Sequence, residues 1–402
     1  MPAASHENPR LDALTGIRFF AAFAVFNVHF FRPELWLPRV PTWFLNMRNA
    51  GDAGVFLFFM LSGFILSNAY SRITTASRDR VAFWIARFAR IYPVYLLCFL
   101  WFAPFILGHR FSVEPPHIAA GKATLAAVNT LLLIQTWISP RLGISWNGPG
   151  WTLSVETAFY LAFPWFAVRL RRLEPRGLLT ALTGFFLLSV LMSAGTLALF
   201  PLSQFADSSV KRSPIYHFPT FLMGMALGFL FQKRPLKNRL HASFLTIAGI
   251  ALTLLLTTGL GNPERFIPHT SIYLPAMAAL LFGLASGGWP ARLLSLPLTL
   301  LLGEASYTLY LMQFPLNATL LWIFSRFHFL DVLLESNAPP FTLTPWYYLI
   351  ILAVAIALSI LIFRRYETPW RVRLRKSLGR LLLHRALPPP VIPGPPADPH
   401  SA

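Results

Sequence analysis

Arg18 and His29 lie eleven residues apart inside one apolar stretch, Leu11 to Phe31, with the sequence LDALTGIRFFAAFAVFNVHFF. At about 100° per residue that spacing is three turns plus roughly 20°, so on a helix both side chains share a face, roughly 16 Å apart along the axis. Charged and titratable groups inside a membrane span are costly and persist chiefly where they face a protein interior or a water-filled cavity. The helix therefore reads as one wall of a polar cleft, carrying a histidine suited to proton uptake near neutral pH. Taken alone, the pair also fits an arginine that snorkels at one membrane end and a histidine resting at the other.

Later stretches place more polar groups in apolar surroundings. Arg87 and Arg90, in FWIARFARIYPVY, stand at i and i+3 and so share a helix face. Two guanidinium groups there can grip phosphate through forked hydrogen bonds, or they can simply anchor a helix end. Glu156, in NGPGWTLSVETAFYLAFPWF, sits about a turn and a half into its span, with Thr152 and Tyr160 at i−4 and i+4 on its side. A lone carboxylate at such a place is a functional-site candidate, with a structural bond to a neighbouring helix as the alternative. Ser62 and Gly63, in GVFLFFMLSGFILS, suit close helix packing. The sequence has no G-x-S-x-G elbow, H-E-x-x-H pair or Walker loop, so hydrolase, zinc protease and ATPase readings lack support. Its ten histidines are scattered without ligand spacing, and no metal is expected.

These groups must be positioned by helices that cross a bilayer. Of 402 residues, 55% are hydrophobic and 12% charged, against about 25% charged in a soluble domain, which points to an all-α integral membrane protein. Apolar spans fall at about 12–31, 51–70, 82–107, 151–168, 178–200, 214–231, 242–260, 270–287, 298–323 and 346–363, each near the ~20 residues a crossing needs. The formal charge of +19 falls in short clusters between apolar runs; that is an orientation signal, and no nucleic-acid partner is expected.

Clusters follow the second, fourth, sixth and last spans, and the positive-inside rule places all four in the cytoplasm. An even number of crossings must separate the first two clusters, yet a third apolar stretch, 119–138, lies between them. It carries Lys122, Asn129, Gln135 and Trp137 and reads as interfacial or re-entrant. About ten transmembrane helices around a polar cleft result, with the N- and C-termini cytoplasmic. Arg18, Arg87 and Arg90 then lie toward the cytoplasm. His29 and Glu156 lie toward the outer face, where a histidine and a carboxylate can pair as acid and base. Residues 1–10 form a cytoplasmic lead, 11–370 the transmembrane domain, and 371–402 a basic then Pro-rich tail expected to be disordered. The single cysteine, Cys98, leaves no intrachain disulfide, and no cleavable signal peptide is evident.

Seven segments taken in order, LDALTGIRFFAAFAVFNVH, GVFLFFMLSGFILS, RFARIYP, WTLSVETAFYLAFP, FLMGMALG, LGEASYTLYLMQFP and RRYETPW, resemble the landmarks of the membrane acyltransferase 3 family, which includes bacterial O-antigen and exopolysaccharide O-acetyltransferases. The resemblance covers roughly residues 11 to 370. It implies a multi-pass enzyme of the bacterial inner membrane that takes an acyl group, usually acetyl, from cytoplasmic acyl-CoA. The group goes to a hydroxyl of a carbohydrate, lipid-linked glycan or small-molecule acceptor. Arg18 and His29 are similar to the family's essential first-span pair, Arg87 and Arg90 to its Arg-x-x-Arg motif, and Ser154, Val155 and Glu156 to its Ser-Val-Glu motif.

On this resemblance Arg18, Arg87 and Arg90 hold the acyl-CoA phosphates, His29 is the general base or transient acyl carrier, and Glu156 orients His29 or the acceptor. The chain also departs from the pattern. Thr15-Gly16-Ile17-Arg18 carries a shifted glycine, Phe56 stands where an aspartate is common, and Gln313 stands where a histidine is usual, leaving His29 as the sole candidate base. A transporter or flippase for a small polar or acylated substrate, with the same Arg, His and Glu as its path, is the alternative.

Overall fold

In lipid the backbone has no partner but itself, so long apolar segments close their own hydrogen bonds as helices. The computed structural model describes residues 11–35, 37, 39–49, 51, 53–138, 145–199, 212–259, 269–326 and 345–383, and no strand occurs among them. The helices are α1 (Asp12–Phe30), α2 (Thr42–Asn49), α3 (Ala53–Ala69), α4 (Ser77–Val113), α5 (Pro116–Leu131), α6 (Gln135–Ile138), α7 (Trp151–Arg172) and α8 (Pro175–Leu199). They continue as α9 (Pro214–Lys233), α10 (Arg239–Gly259), α11 (His269–Ser286), α12 (Trp289–Leu294), α13 (Pro297–Leu311), α14 (Gln313–Arg326), α15 (Pro345–Ile362) and α16 (Thr368–Leu383). Seven helical stretches, beginning at Asp12, Thr42, Ser77, Pro175, Pro214, Arg239 and Pro345, are long and apolar enough to cross a membrane. The other three spans read from the sequence coincide with α7, α11 and the broken pair α13 and α14.

The centre is made by backbones that touch. A Cβ on Gly224 of α9 would strike the Met60 carbonyl of α3, and one on Gly63 of α3 would strike the Phe221 carbonyl of α9. The same device holds α1, where Gly303 meets the Thr15 carbonyl and Gly16 meets that of Leu294. Small residues at these points let helix axes approach closely, which gives the shifted glycine before Arg18 a packing role. Phe26, Phe59, Phe64, Phe159, Phe163 and Phe221 fill the interior, while Leu187, Leu191, Leu252, Leu255 and Leu361 are exposed outside, as a surface solvated by lipid requires.

At 37 residues α4 is about 55 Å long, well beyond the ~30 Å hydrocarbon core. The chain reverses at Glu114 and Pro115, and α5 runs back along the far half of α4. Tyr95 donates to the Thr130 carbonyl at 2.8 Å and Tyr92 to that of Leu131 at 3.3 Å. There α5 stops, after 16 residues. The Ile134 N–H donates to the Asn129 carbonyl and the Leu133 N–H to that of Thr130, the two bonds of a Schellman close, with Leu133 at φ 59° where glycine is usual. The 119–138 stretch is thus a helix that ends level with Tyr92, followed by the single turn of α6.

Proline explains two further features. Pro164 has no N–H to offer the Tyr160 carbonyl, and Trp84 Nε1 donates to it instead at 3.0 Å. Pro315 likewise abandons the Leu311 carbonyl, which accepts from Asn147 Nδ2 at 3.0 Å, and the helix breaks between α13 and α14. At the other end of the chain, α15 passes through a π-helical turn, Phe363–Glu367, into α16. This corrects the expectation of disorder from residue 371. The run TPWRVRLRKSLGRLLL is rich in strong helix formers and packs against α4. Residues 1–10 and the Pro-rich 384–402 lie outside the described residues.

Candidate active site

Three arginines converge on one cavity of about 110 Å³ between α1, α3, α4, α7 and α13. Arg18 comes from α1, Arg87 and Arg90 from α4, and Ser62, Thr152, Glu156, Tyr160, Ser306, Tyr307 and Tyr310 complete its polar lining. The i, i+3 spacing does place Arg87 and Arg90 on the same wall, but their surroundings differ. Arg87 lies over the Tyr70 ring at 5.4 Å and donates to its hydroxyl at 3.3 Å, while its buried Nε has no hydrogen-bond partner. Arg90 forms an ion pair with Glu367 and lies 5.1 Å over the Tyr307 ring.

Glu367 is fully buried, and its second oxygen accepts from Thr308 Oγ1 at 2.8 Å. It belongs to the π-helical turn, a distortion that aims its side chain inward, as such turns often do at functional sites. Across the cavity, Glu156 accepts from the Tyr160 hydroxyl at 2.9 Å. Three guanidinium groups and one carboxylate, Glu156, thus line the cavity, with Glu367 paired to Arg90 behind it, an excess of positive charge that suits an anion.

His29 lines a different cavity, about 460 Å³ in volume, together with Trp146, Trp151, His217, Phe314 and Arg212. Its Nδ1 lies 2.7 Å from Gln313 Oε1. In this contact the amide oxygen accepts and Nδ1 donates. The Phe314 ring stands edge-on to the imidazole, 5.1 Å between centroids. The break at Pro315 is what turns Gln313 and Phe314 toward α1.

His217, at the start of α9, is buried in an aromatic box with ring centroids 4.9 Å from Phe59, 5.5 Å from Trp151 and 5.6 Å from Phe56. Phe56 occupies the position where the sequence lacks an expected aspartate, and it serves as one wall of this box.

The structure therefore brings Arg18, Arg87, Arg90 and Glu156 together and sets His29 apart. The expected pairing of Glu156 with His29 is not built. Gln135 bridges the Tyr95 hydroxyl and the Gly150 carbonyl at 3.1 and 3.0 Å, which fixes the start of α7 level with Tyr95, already part-way along α4. A turn and a half further on, Glu156 falls among the arginines. Its motif partners are structural: Val155 is buried in the core, and Ser154 receives the Thr136 hydroxyl at 2.8 Å, tying α6 to α7.

Three residues were beyond reach of the sequence reading. Glu367 lies in RRYETPW, a landmark to which the sequence attached no role. Gln313 stands out only as a substituted position, and His217 carries no signal at all. Among the described residues no group of histidine, cysteine, aspartate and glutamate could hold a metal ion.

A family model described as an acyltransferase domain matches residues 11–364. The chain belongs to the acyltransferase 3 family. Among curated relatives, the acyltransferase MdmB of Streptomyces mycarofaciens is 38% identical over 174 residues, which is 42% of this chain and 42% of MdmB. The O-acetyltransferase OatA of Staphylococcus aureus is 25% identical over 335 residues, 77% of this chain and 51% of OatA. The chain spans about half the length of the curated relatives it matches. No solved structure matches it. The acyltransferase 3 match runs from α1 through α15 and into the turn that leads to Glu367, so both cavities lie within it.

Proposed function

We propose that this protein is a membrane-bound O-acyltransferase that moves an acyl group, acetyl in the first instance, from cytoplasmic acyl-CoA to a hydroxyl of a carbohydrate, lipid-linked glycan or other cell-envelope acceptor. The observation that supports this reading is the presence of two adjoining cavities, one lined by three arginines and one holding a histidine whose Nδ1 faces an amide oxygen. In the proposed topology of ten crossings with both termini cytoplasmic, the arginine cavity opens toward the cytoplasm and the histidine cavity toward the outer face of the inner membrane.

Arg18 and Arg87 hold phosphate oxygens, and the unpartnered Nε of Arg87 supports that role. Arg90 is kept in place by Glu367. Glu156 and Tyr160 line the path beyond them. The thioester supplies an activated acyl carbon. Gln313 keeps the His29 proton on Nδ1, so Nε2 accepts the proton of the acceptor hydroxyl as its oxygen bonds the acyl carbon. The carbon–sulfur bond breaks, its electron pair leaves with the sulfur, and the His29 imidazolium returns its proton to the thiolate, which restores the base.

The test is transfer by purified protein in detergent, using labelled acetyl-CoA and a panel of glycan and small hydroxylic acceptors. Acetyl transfer that disappears in His29→Ala while acyl-CoA binding persists is the expected result. Binding without any turnover of acetyl-CoA in the parent protein overturns the enzymatic reading and favours transport.

A further inference from the structure

The two cavities adjoin without merging. Val55 of α3 and Tyr310 of α13 are the two described residues that line both. Each is nearly sealed, at 4% and 6% exposure. Tyr310 stands edge-on to Phe58, 6.0 Å between centroids, in the last turn of α13 before the break. Three residues later Gln313 holds His29. The barrier and the base are therefore set by one short segment.

We propose that Val55 and Tyr310 form a selectivity wall that the acyl group must cross, and that its cross-section sets the acyl length the protein transfers. This rests on the two-cavity reading of the function. If the thioester arrives among the arginines and the hydroxyl waits beside His29, the acyl carbon must reach the plane of Val55 and Tyr310. The remainder of the acyl chain has to fit among Val55, Tyr310, Phe56, Phe58 and Phe59, of which all but Phe58 are buried. A two-carbon group fits past such a wall with small side-chain adjustments. Each further methylene has to displace an aromatic ring, and a close-fitting apolar site discriminates one methylene by about 10–200-fold.

The chemistry is the one given above: the acceptor oxygen gains the acyl group, His29 takes its proton, and the thiol leaves. Val55 and Tyr310 take no part in bond making. They position and select.

The experiment compares kcat/KM for acetyl-, butyryl- and hexanoyl-CoA in the full-length protein and in Val55→Ala, Val55→Ile and Tyr310→Ala. Each ratio of two donors is internal to one preparation, so a smaller folded fraction leaves it unchanged. Val55→Ala and Tyr310→Ala are expected to raise the butyryl-to-acetyl ratio at least tenfold, and Val55→Ile to lower it. Acyl-CoA affinity should stay within about threefold throughout, because the phosphate grip lies elsewhere. If the parent transfers acetyl but the ratios stay put in both Val55 variants, the wall proposal is overturned and the transferase reading stands. If the parent turns over none of the three donors, both fall together.

Discussion

At the scale of single residues, the position of one proton organises the site. His29 faces an amide oxygen across 2.7 Å, and under the proposed function that contact keeps the proton on Nδ1 and leaves Nε2 as the base. His29→Ala should abolish transfer while the protein still inserts and binds acyl-CoA. His29→Gln keeps the hydrogen-bonding shape but cannot take a proton, and should lose ~10²–10⁴-fold in transfer rate. Rates near the parent in His29→Gln rule out proton transfer by this residue. Gln313→Leu leaves the ring in place and removes only what holds its tautomer, so kcat should fall while KM for acyl-CoA stays unchanged.

On the other side of the wall, Arg87→Ala should weaken acyl-CoA binding about 10–100-fold, the range expected for a charge-assisted hydrogen bond of ~1.5–3 kcal/mol. Arg87→Lys should recover part of this, since an ammonium keeps the charge without the fork. Isothermal titration in detergent distinguishes the two. Arg18 with His29 and Arg87 with Arg90 are legible in the sequence because each pair's spacing is local to one helix. Gln313 lies 284 positions from His29 and Glu367 lies 277 from Arg90, and no periodicity connects residues so far apart.

Elements show a different kind of dependence, between prolines and distant side chains. Trp84 and Asn147 each supply the donor that a proline withholds from a carbonyl on a neighbouring segment. Removing such a donor leaves a buried acceptor unpaired at a cost of ~1–3 kcal/mol, so Trp84→Phe and Asn147→Leu should both lower the thermal midpoint in detergent. Asn147→Leu should also slow transfer, because it loosens the break that presents Gln313. A stable, fully active Asn147→Leu rules out that coupling.

Glu367→Gln removes one charge of a buried pair, and its cost should be larger, ~3–5 kcal/mol. The apolar spans are visible in the sequence because bilayer thickness imposes a length on each one separately. The places where helices break, bulge or stop are less visible. A π-helical turn at Phe363–Glu367 and a Schellman close with leucine at its left-handed position are decided by tertiary contacts that override local preference.

For the whole molecule, the parity of basic clusters and the early stop of α5 both bear on the topology. A reporter fused after Arg172 should read cytoplasmic, and one inserted at Glu114 should read external. A cytoplasmic signal at Glu114 removes the ten-crossing proposal. The family is legible from seven short segments in order, whereas the division into two cavities is not, since the level of Glu156 depends on where α7 starts against α4.

The glycine seams have a consequence for how the protein does work. A secondary transporter rocks one bundle against another around a fixed site. Here α1 meets α12 at Gly16 and α13 at Gly303, and α3 meets α9 at Gly63 and Gly224, backbone on backbone, which leaves these four contacts little room to open. Under the proposed function the frame stands still and a small fragment passes through it. The energy for that passage comes, under the same proposal, from the thioester, with no ion gradient called upon. Acyl delivery by proteoliposomes should therefore continue at an unchanged rate when ionophores collapse both the membrane potential and the proton gradient.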